Sequence, residues 1–562
     1  MSNPVLHLEP AHQVAPEPDL KQPAVGGYGR GSMSVTSMSP IAGTAVGDRA
    51  PDPRPADPLS LIAGASAAKQ DRLLWEHSDL VADHMANHFS RRTPHLAAKT
   101  GFALWQRIAG AAAAFGCLAL LVLAPTILSI ILVSAITTIT LTHVMIAALP
   151  GRGRYARRGS RQAPPVPDAE LPSYTILVPA YQEQDVIAGM VQCLENLDYP
   201  KDRLEALILV ERRDHATKQA IRDANPADFI RIVEIPPGKP QTKPRSCNAG
   251  LLLAKGELIV IYDAEDRPDL DQLRLTAARF RGSDDKLACV QAKLMVSNAG
   301  QSFISRQFAL EYCLRYEVTL PGLARLGLPI PLGGTSNHFR TSVLRELGGW
   351  DAWNVTEDAD LGMRCSALGY RVEVVDSITR GEMPHQVKPW TKQRTRWLKG
   401  FMLTALVHTR NPARTWRTFG HTGTITLLAF MAGTPLLYLA QPVALVVWAS
   451  GYKGFVAQHL GADPVLLVIQ LLTLVVWMCL AVTAARRYRL TSTVFAPLLP
   501  VYWMMNWAAT WRALHQLITA PFLWEKTPHT ANAEAGIKRL ATAENRHEEP
   551  VSPPATVIAL AA

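Results

Sequence analysis

From Phe102 to Leu149 the chain runs for nearly fifty residues with Arg107 and His143 as its only acidic or basic side chains, broken once at Ala124-Pro125. Each half is about the length, roughly 20 residues, that crosses the hydrocarbon of a bilayer as a helix. Residues 99–150 are therefore expected to form a transmembrane hairpin. Apolar segments return at Thr422–Ser450 and Val465–Ala484. Basic residues flank these segments: Arg152, Arg154, Arg157, Arg158 and Arg161 after the hairpin, and Arg486, Arg487 and Arg489 after the last. That is the pattern of cytosolic membrane-flanking loops. The composition, 48% hydrophobic and 19% charged with a net charge of +10, fits a lipid bilayer as partner and makes a nucleic acid an unexpected one. The seven cysteines form no CxxC pair and no His/Cys cluster, so neither a zinc site nor a disulfide framework is indicated.

Between the apolar regions the periodicity changes. Tyr174–Pro179, Leu204–Val210, Ile230–Ile235 and the run beginning at Leu258 read as short buried strands separated by helix-like stretches. Repeated strand–helix units imply a mainly parallel sheet covered by helices, so residues 173–388 are expected to be a cytosolic α/β domain inserted between transmembrane and interfacial helices. Residues 1–98 form an N-terminal region, in which 1 to about 70, rich in Pro, Ala, Gly and Ser, are expected to be a disordered tail and 71–98 hold a charged stretch, compatible with a helix, that leads to Arg91-Arg92. Residues 389–420 read as interfacial helices and 421–520 as C-terminal transmembrane and interfacial helices. Within the latter, Pro497, Pro500, Arg512 and His515 interrupt Val494–Ile518, which is left open between crossing, re-entering and lying flat. A loop at 521–530 and a loose tail at 531–562 complete the chain.

The run Leu258–Pro268 carries the clearest chemical signal. Apolar residues lead into Asp263, Glu265 and Asp266 and stop at a proline, as a buried strand does where its carboxyl end meets a ligand site. Crowded carboxylates repel unless a cation offsets them, and hard oxygen donors suit Mg²⁺ or Mn²⁺. Just upstream, Lys243 and Arg245 in Gly238–Gly250 could meet diphosphate oxygens. A second acid cluster, Thr356-Glu357-Asp358, lies far along the chain, and taken alone it would be a commonplace helix N-cap. Gln393-Arg394-Thr395-Arg396-Trp397 adds a flat indole for stacking a sugar ring, although Trp390, Trp397 and Lys399 would equally suit headgroup depth.

In this order, Val178-Pro179-Ala180-Tyr181-Gln182-Glu183, Glu211 at a strand end, the Lys243 loop, Asp263-Ala264-Glu265-Asp266, Gly333-Gly334-Thr335-Ser336-Asn337, Thr356-Glu357-Asp358 and the Gln393–Trp397 set resemble the membrane-embedded, processive family 2 glycosyltransferases, such as cellulose and hyaluronan synthases. The resemblance implies a GT-A-like domain and inverting transfer of a hexose from a UDP-sugar to a β-linked exopolysaccharide. On this view Pro179, Tyr181, Glu183, Glu211, Lys243, Asp263, Gln393, Arg396 and Trp397 hold the donor, and Mg²⁺ or Mn²⁺ sits on Asp263 with Glu265 or Asp266. Asp358 with Glu357 is catalytic, and Gly334, Thr335 and Trp397 line the acceptor path. Trp524, Lys526 and Thr527 resemble the family's gating loop. The sequence departs from the family in Gln182 for Asn, Glu211 for Asp and Asp-x-Glu for Asp-x-Asp. The implied location is a bacterial inner membrane, with room for accessory export subunits. Two rival readings are a single-addition transferase acting on a lipid-linked acceptor and a non-catalytic scaffold on the same fold.

Overall fold

The computed structural model describes residues 58–148, 166–447, 462–486, 488 and 491–526. Its centre is an eight-stranded mixed, mainly parallel sheet in the order β3-β2-β1-β4-β7-β6-β8-β5. The strands are β1 (Tyr174–Ala180), β2 (Leu204–Glu211), β3 (Ile230–Ile235), β4 (Leu258–Ile261), β5 (Arg267–Pro268), β6 (Leu287–Val296), β7 (Asn337–Arg340) and β8 (Arg371–Gly381). β3, β2, β1 and β4 run parallel, β7 is antiparallel to both β4 and β6, and β8 is parallel to β6.

The near-continuous apolar runs in the strands have a direct cause, because both faces of the sheet are covered. Leu177, Leu207, Leu209, Ile259 and Ile261 belong to one core, and the alternating residues Ile176, Val178, Ile208, Val210 and Val260 belong to the other. Because β1, β2 and β4 are parallel and neighbouring, their carboxyl ends lie on one edge. That edge presents the loop after Ala180, Glu211, and the acid turn after Ile261.

The N-terminal region differs from expectation only before about residue 70, where helix begins earlier than its composition suggests. Residues 1–57 lie outside the described residues, but Pro58 to Arg92 forms three helices, α1 (Pro58–Gly64), α2 (Ala67–Glu76) and α3 (Ser78–Arg92). Ile62, Leu74, Val81 and Met85 are buried in the same core as the first face of the sheet. The link that the sequence concealed is polar. Asn248 donates its side-chain N–H groups to the carbonyls of Met85 (3.0 Å) and Trp350 (2.9 Å) and accepts from the Trp350 N–H (3.0 Å). The Arg364 guanidinium stacks over Phe89 at 4.2 Å.

Among the described residues, four helices are long and apolar enough to cross a membrane: Leu104–Leu123, Pro125–Ile146, Pro412–Val447 and Val468–Arg486. The first is α4 (Leu104–Leu123), followed by α5 (Pro125–Ala148). Further helices that matter for the site are α6 (Lys243–Leu253), α7 (Phe303–Leu314), α8 (Glu357–Ala367), α9 (Val387–His408), α10 (Pro412–Leu427), α11 (Thr434–Val447), α12 (Ala462–Arg486) and α13 (Leu499–Thr519). α13 is not among the candidate spans. It packs along α9, where Trp390 donates to the Tyr502 hydroxyl at 3.0 Å and Ala509 and Ala513 are fully buried. The linker at 149–165 and the tail at 531–562 lie outside the described residues.

Replacing Asn248 by Leu removes three buried hydrogen bonds, each contributing about 1 kcal/mol. We expect Asn248→Leu to lower Tm in detergent by roughly 5 °C and to speed proteolytic release of the 58–92 helices. An unchanged Tm would show that Asn248 does not tie these helices down.

Candidate active site

Apart from Arg245, and from Thr527, which lies outside the described residues, the residues singled out above as donor, acceptor, metal or catalytic groups line one cavity of about 770 Å³. The cavity opens at the strand-end edge of the sheet and continues between α5, α11, α12 and α13, where Thr140, Tyr438, Gln441, Gln470 and Asn506 reach its wall.

The acid turn begins one residue beyond the end of β4. Asp266 folds back, and its carboxylate accepts from the Asp263 N–H at 2.8 Å and from the Thr335 hydroxyl. Burial, together with the Asp263 and Glu265 carboxylates, raises its pKa well above the ordinary range. Asp266 therefore shapes the turn, which leaves Asp263 and Glu265 as the better donors for a cation. The Thr335 hydroxyl lies 3.1 Å from the Ile261 carbonyl as well, so its single proton is shared between that oxygen and Asp266. Thr335 thus braces the acid turn from the cavity wall.

Lys243 enters from the first turn of α6. Its ammonium contacts Asp263 and donates to the Gly334 carbonyl at 2.6 Å. Burial opposes that charge, and the Asp263 carboxylate more than restores it, so the pKa is raised. Arg245, expected beside Lys243, does not reach the cavity. It is 1% exposed and donates to the Pro236 carbonyl beneath the loop. A two-residue step on a helix turns the side chain to another face.

Glu357 and Asp358 open α8, beside the Gly333–Thr335 segment. Thr356 stands at the N-cap position, yet its side chain makes no capping bond and its hydroxyl is buried without a partner. It is pressed against Gly400 of α9, where a Cβ would overlap it. Burial and then the neighbouring Asp358 push the Glu357 carboxyl up to about 8. Burial also raises Asp358, opposed by the Ala359 N–H, Arg396 and Lys243. Arg396 is close enough to be influenced by Glu357, Asp358 and Asp263, and it donates to the Val355 carbonyl at 3.1 Å.

α9 carries Gln393, Arg396 and Trp397 into the cavity. The carbonyl oxygen of Gln393 is buried with no partner, an acceptor that a ligand hydroxyl or N–H would satisfy. Headgroup anchoring does not describe Trp390 and Lys399, since both are fully buried. Arg394, which the motif treats as variable, makes a bidentate pair with Glu311 and lies over the rings of Phe308, Trp390, Trp397 and Tyr502. It locks α9 to α7 and α13 and orients the Trp397 indole.

The loop that follows α13 closes one side. Trp524 lies under Arg396, with the guanidinium 4.3 Å from the ring centroid. Lys526 donates to the carbonyls of Tyr181 and Gln182 and pairs with Glu183 at 3.1 Å. Gln182 holds φ 54°, a left-handed conformation that Asn adopts more readily than Gln, which gives a physical reason for Asn in the related motif. Glu211 accepts from Gln241 at 2.9 Å on the opposite wall.

Sequence reading also missed Arg315 and the membrane-helix amides. Arg315 lines the cavity and donates to the Pro331 carbonyl at 2.9 Å. Gln441 accepts from Trp507 at 2.8 Å, and Gln470 donates to Thr137 at 3.1 Å. Amides within apolar segments are a readable signal in themselves.

Residues 175–333 match the family model for Glycosyl transferase family 2, and residues 258–510 that for Glycosyl transferase family group 2. The chain is 30% identical over 234 residues to "Probable glycosyltransferase YdaM" of Bacillus subtilis, covering 41% of this chain and 56% of that protein. It is 27% identical over 244 residues to glucomannan 4-beta-mannosyltransferase 7 of Arabidopsis thaliana, covering 41% and 43%. It is 26% identical over 235 residues to beta-monoglucosyldiacylglycerol synthase of Trichormus variabilis, covering 41% and 49%. The chain thus spans about half the length of these curated relatives. Among solved structures it is similar to the mannosyltransferase PcManGT of Pyrobaculum calidifontis in complex with GDP-Man and Mn²⁺, at 18% identity and a TM-score of 0.46, covering 69% of this chain and 99% of that one.

The Glu357 carboxyl supplies a pH test. Its pKa in the fold, about 8, lies above the ordinary 4.5, so the folded state holds more protons. Stability from this group therefore falls as pH rises from 4.5 to about 8. Glu357→Gln removes that dependence, so its Tm is expected to gain on the wild type between pH 5 and pH 8 and to hold the gain at pH 9. Parallel Tm curves would rule out a proton-retaining Glu357.

Proposed function

We propose that this chain, which carries family 2 glycosyltransferase domains, transfers a hexosyl unit with inversion from a nucleoside-diphosphate sugar, a UDP-hexose in the first instance, to the end of a growing β-linked polysaccharide. The observation that carries the reading is the shared cavity. Both acid clusters and the Gln393, Arg396 and Trp397 set line it, and it continues without a break between helices long enough to cross a membrane.

The lining of the cavity supports the following roles. The edge formed by Pro179, Tyr181, Glu183 and Glu211 supports a nucleoside site, with Glu211 positioned to accept from a base N–H. Lys243 and Arg396 stand where negative charge gathers on a departing diphosphate. Asp263 and Glu265 offer the hard oxygens that suit Mg²⁺ or Mn²⁺, which when bound would neutralise that leaving group. Asp358 takes the proton from the attacking acceptor hydroxyl, and Glu357, holding its own proton, keeps a second negative charge out of the same pocket. Trp397 offers its face to the terminal sugar, with Gln393 accepting a hydroxyl. Tyr438, Gln441, Gln470 and Asn506 extend a polar and aromatic path for the product between the membrane helices. The location that fits is a bacterial inner membrane, with the α/β domain on the cytosolic side.

A single addition to a lipid-linked acceptor is the second reading, favoured by the cavity's reach into helices that lipid would surround.

Purified protein in lipid, given labelled UDP- and GDP-hexoses with and without Mg²⁺ or Mn²⁺, is expected to make product with one donor and to stop in EDTA. A ladder of long chains supports the polymer reading, while a single glycolipid band replaces it with the second. Asp358→Asn is expected to lose activity by about 10³-fold while retaining its fold and nucleotide binding. Turnover at the wild-type rate would remove Asp358 as the base.

A further inference from the structure

The loop after α13 is fastened over the cavity from three directions. Lys526 reaches the Tyr181–Glu183 loop. Glu525 forms a bidentate pair with Arg512 of α13, at 2.6 and 2.7 Å, and accepts from Gln516 at 3.1 Å. The third anchor comes from α9. Lys399 is fully buried, and its ammonium donates to the carbonyls of Ala520 (3.1 Å) and Leu523 (2.9 Å).

This anchor differs in kind from the other two. Both acceptors are main-chain carbonyls, so the contact fixes the path of the backbone whatever side chains the loop bears. Burying an ammonium is costly unless donors and acceptors are matched, and a methionine would fill similar space without that cost. The charges acting on Lys399 are Glu525 on the loop, Arg396 on its own helix and Arg512 on α13, and burial dominates, lowering it to about 8. Lys399 also stands two residues beyond Trp397 on the same helix. The anchor and the cavity groups are thus parts of one rod.

We propose that Lys399 is a positioning residue that latches the backbone of 520–523, so that Trp524 and Lys526 stand over the nucleotide end of the cavity and the donor is held there. The proposal rests on the sugar-transfer reading for the identity of the donor, and on the two carbonyl bonds for the latch itself.

The test uses the full chain in lipid nanodiscs, comparing wild type, Lys399→Met and Lys399→Arg. Trypsin cleavage of the Lys526–Thr527 bond, followed by mass spectrometry with and without UDP, reads the loop directly. Donor KM and kcat read its consequence. Loss of two charge-assisted bonds is expected to speed that cleavage about tenfold and to raise donor KM about tenfold, with kcat within about threefold of wild type. Lys399→Arg, which keeps the charge and the donors, is expected to recover most of both. Cleavage at the wild-type rate in Lys399→Met, or a fall in kcat with KM unchanged, overturns the latch. If Lys399→Met does not accumulate folded, Lys399→Gln takes its place, with about a threefold effect expected on both readouts and wild-type values overturning the latch. If the wild type transfers no sugar, the functional reading fails while the cleavage comparison still decides the latch.

Discussion

The carboxylates of Asp263, Glu265, Asp266, Glu357 and Asp358 gather in one cavity, which other carboxylates also line, and cations are set among them. Lys243 is the central one. Its ammonium joins Asp263 of the acid turn to the carbonyl of Gly334, and Gly334 in turn lies beside Asp358. Arg396 works from the other side, within reach of Glu357, Asp358 and Asp263. Burial and mutual repulsion raise the pKa of both Asp266 and Glu357, so each holds its proton more firmly than an exposed carboxyl does.

The fold was legible where burial leaves a pattern in the sequence. Ile230–Ile235 reads as a strand from its residues alone, and the strand before Asp263 is marked by the apolar run that fails at the acids. The apolar helices were equally plain, because nothing else needs such lengths without charge. Asn248 and Lys399 were not legible. Their value lies in bonds to main-chain carbonyls that sit far away along the chain, and no local pattern encodes those. The helical start at Pro58 was obscured by the composition around it, although Ile62 carries an apolar contact that holds it.

Site residues divide along the same line. Spacing could group Asp263, Glu265 and Asp266, but it could not say that Asp266 turns inward to Thr335. It could place Arg245 beside Lys243 but not say that the helix sends the two side chains to different places. Arg394 shows the opposite failure. A position that looks interchangeable is held by a carboxylate and four aromatic rings, of which Phe308 and Tyr502, like Glu311, come from elements that only the fold brings together.

The contact between Thr356 and Gly400 has a mechanical consequence. Without a Cβ on Gly400, α9 seats directly on the residue that precedes Glu357, so the helix bearing Trp397 and the start of the helix bearing Asp358 cannot slide past one another. The spacing between Trp397 and Asp358 is thereby held as a ruler is held, whatever the loop above does. On the reading proposed above, a sugar of the wrong ring size would meet a rigid gauge, and adjustment would fall to the substrate.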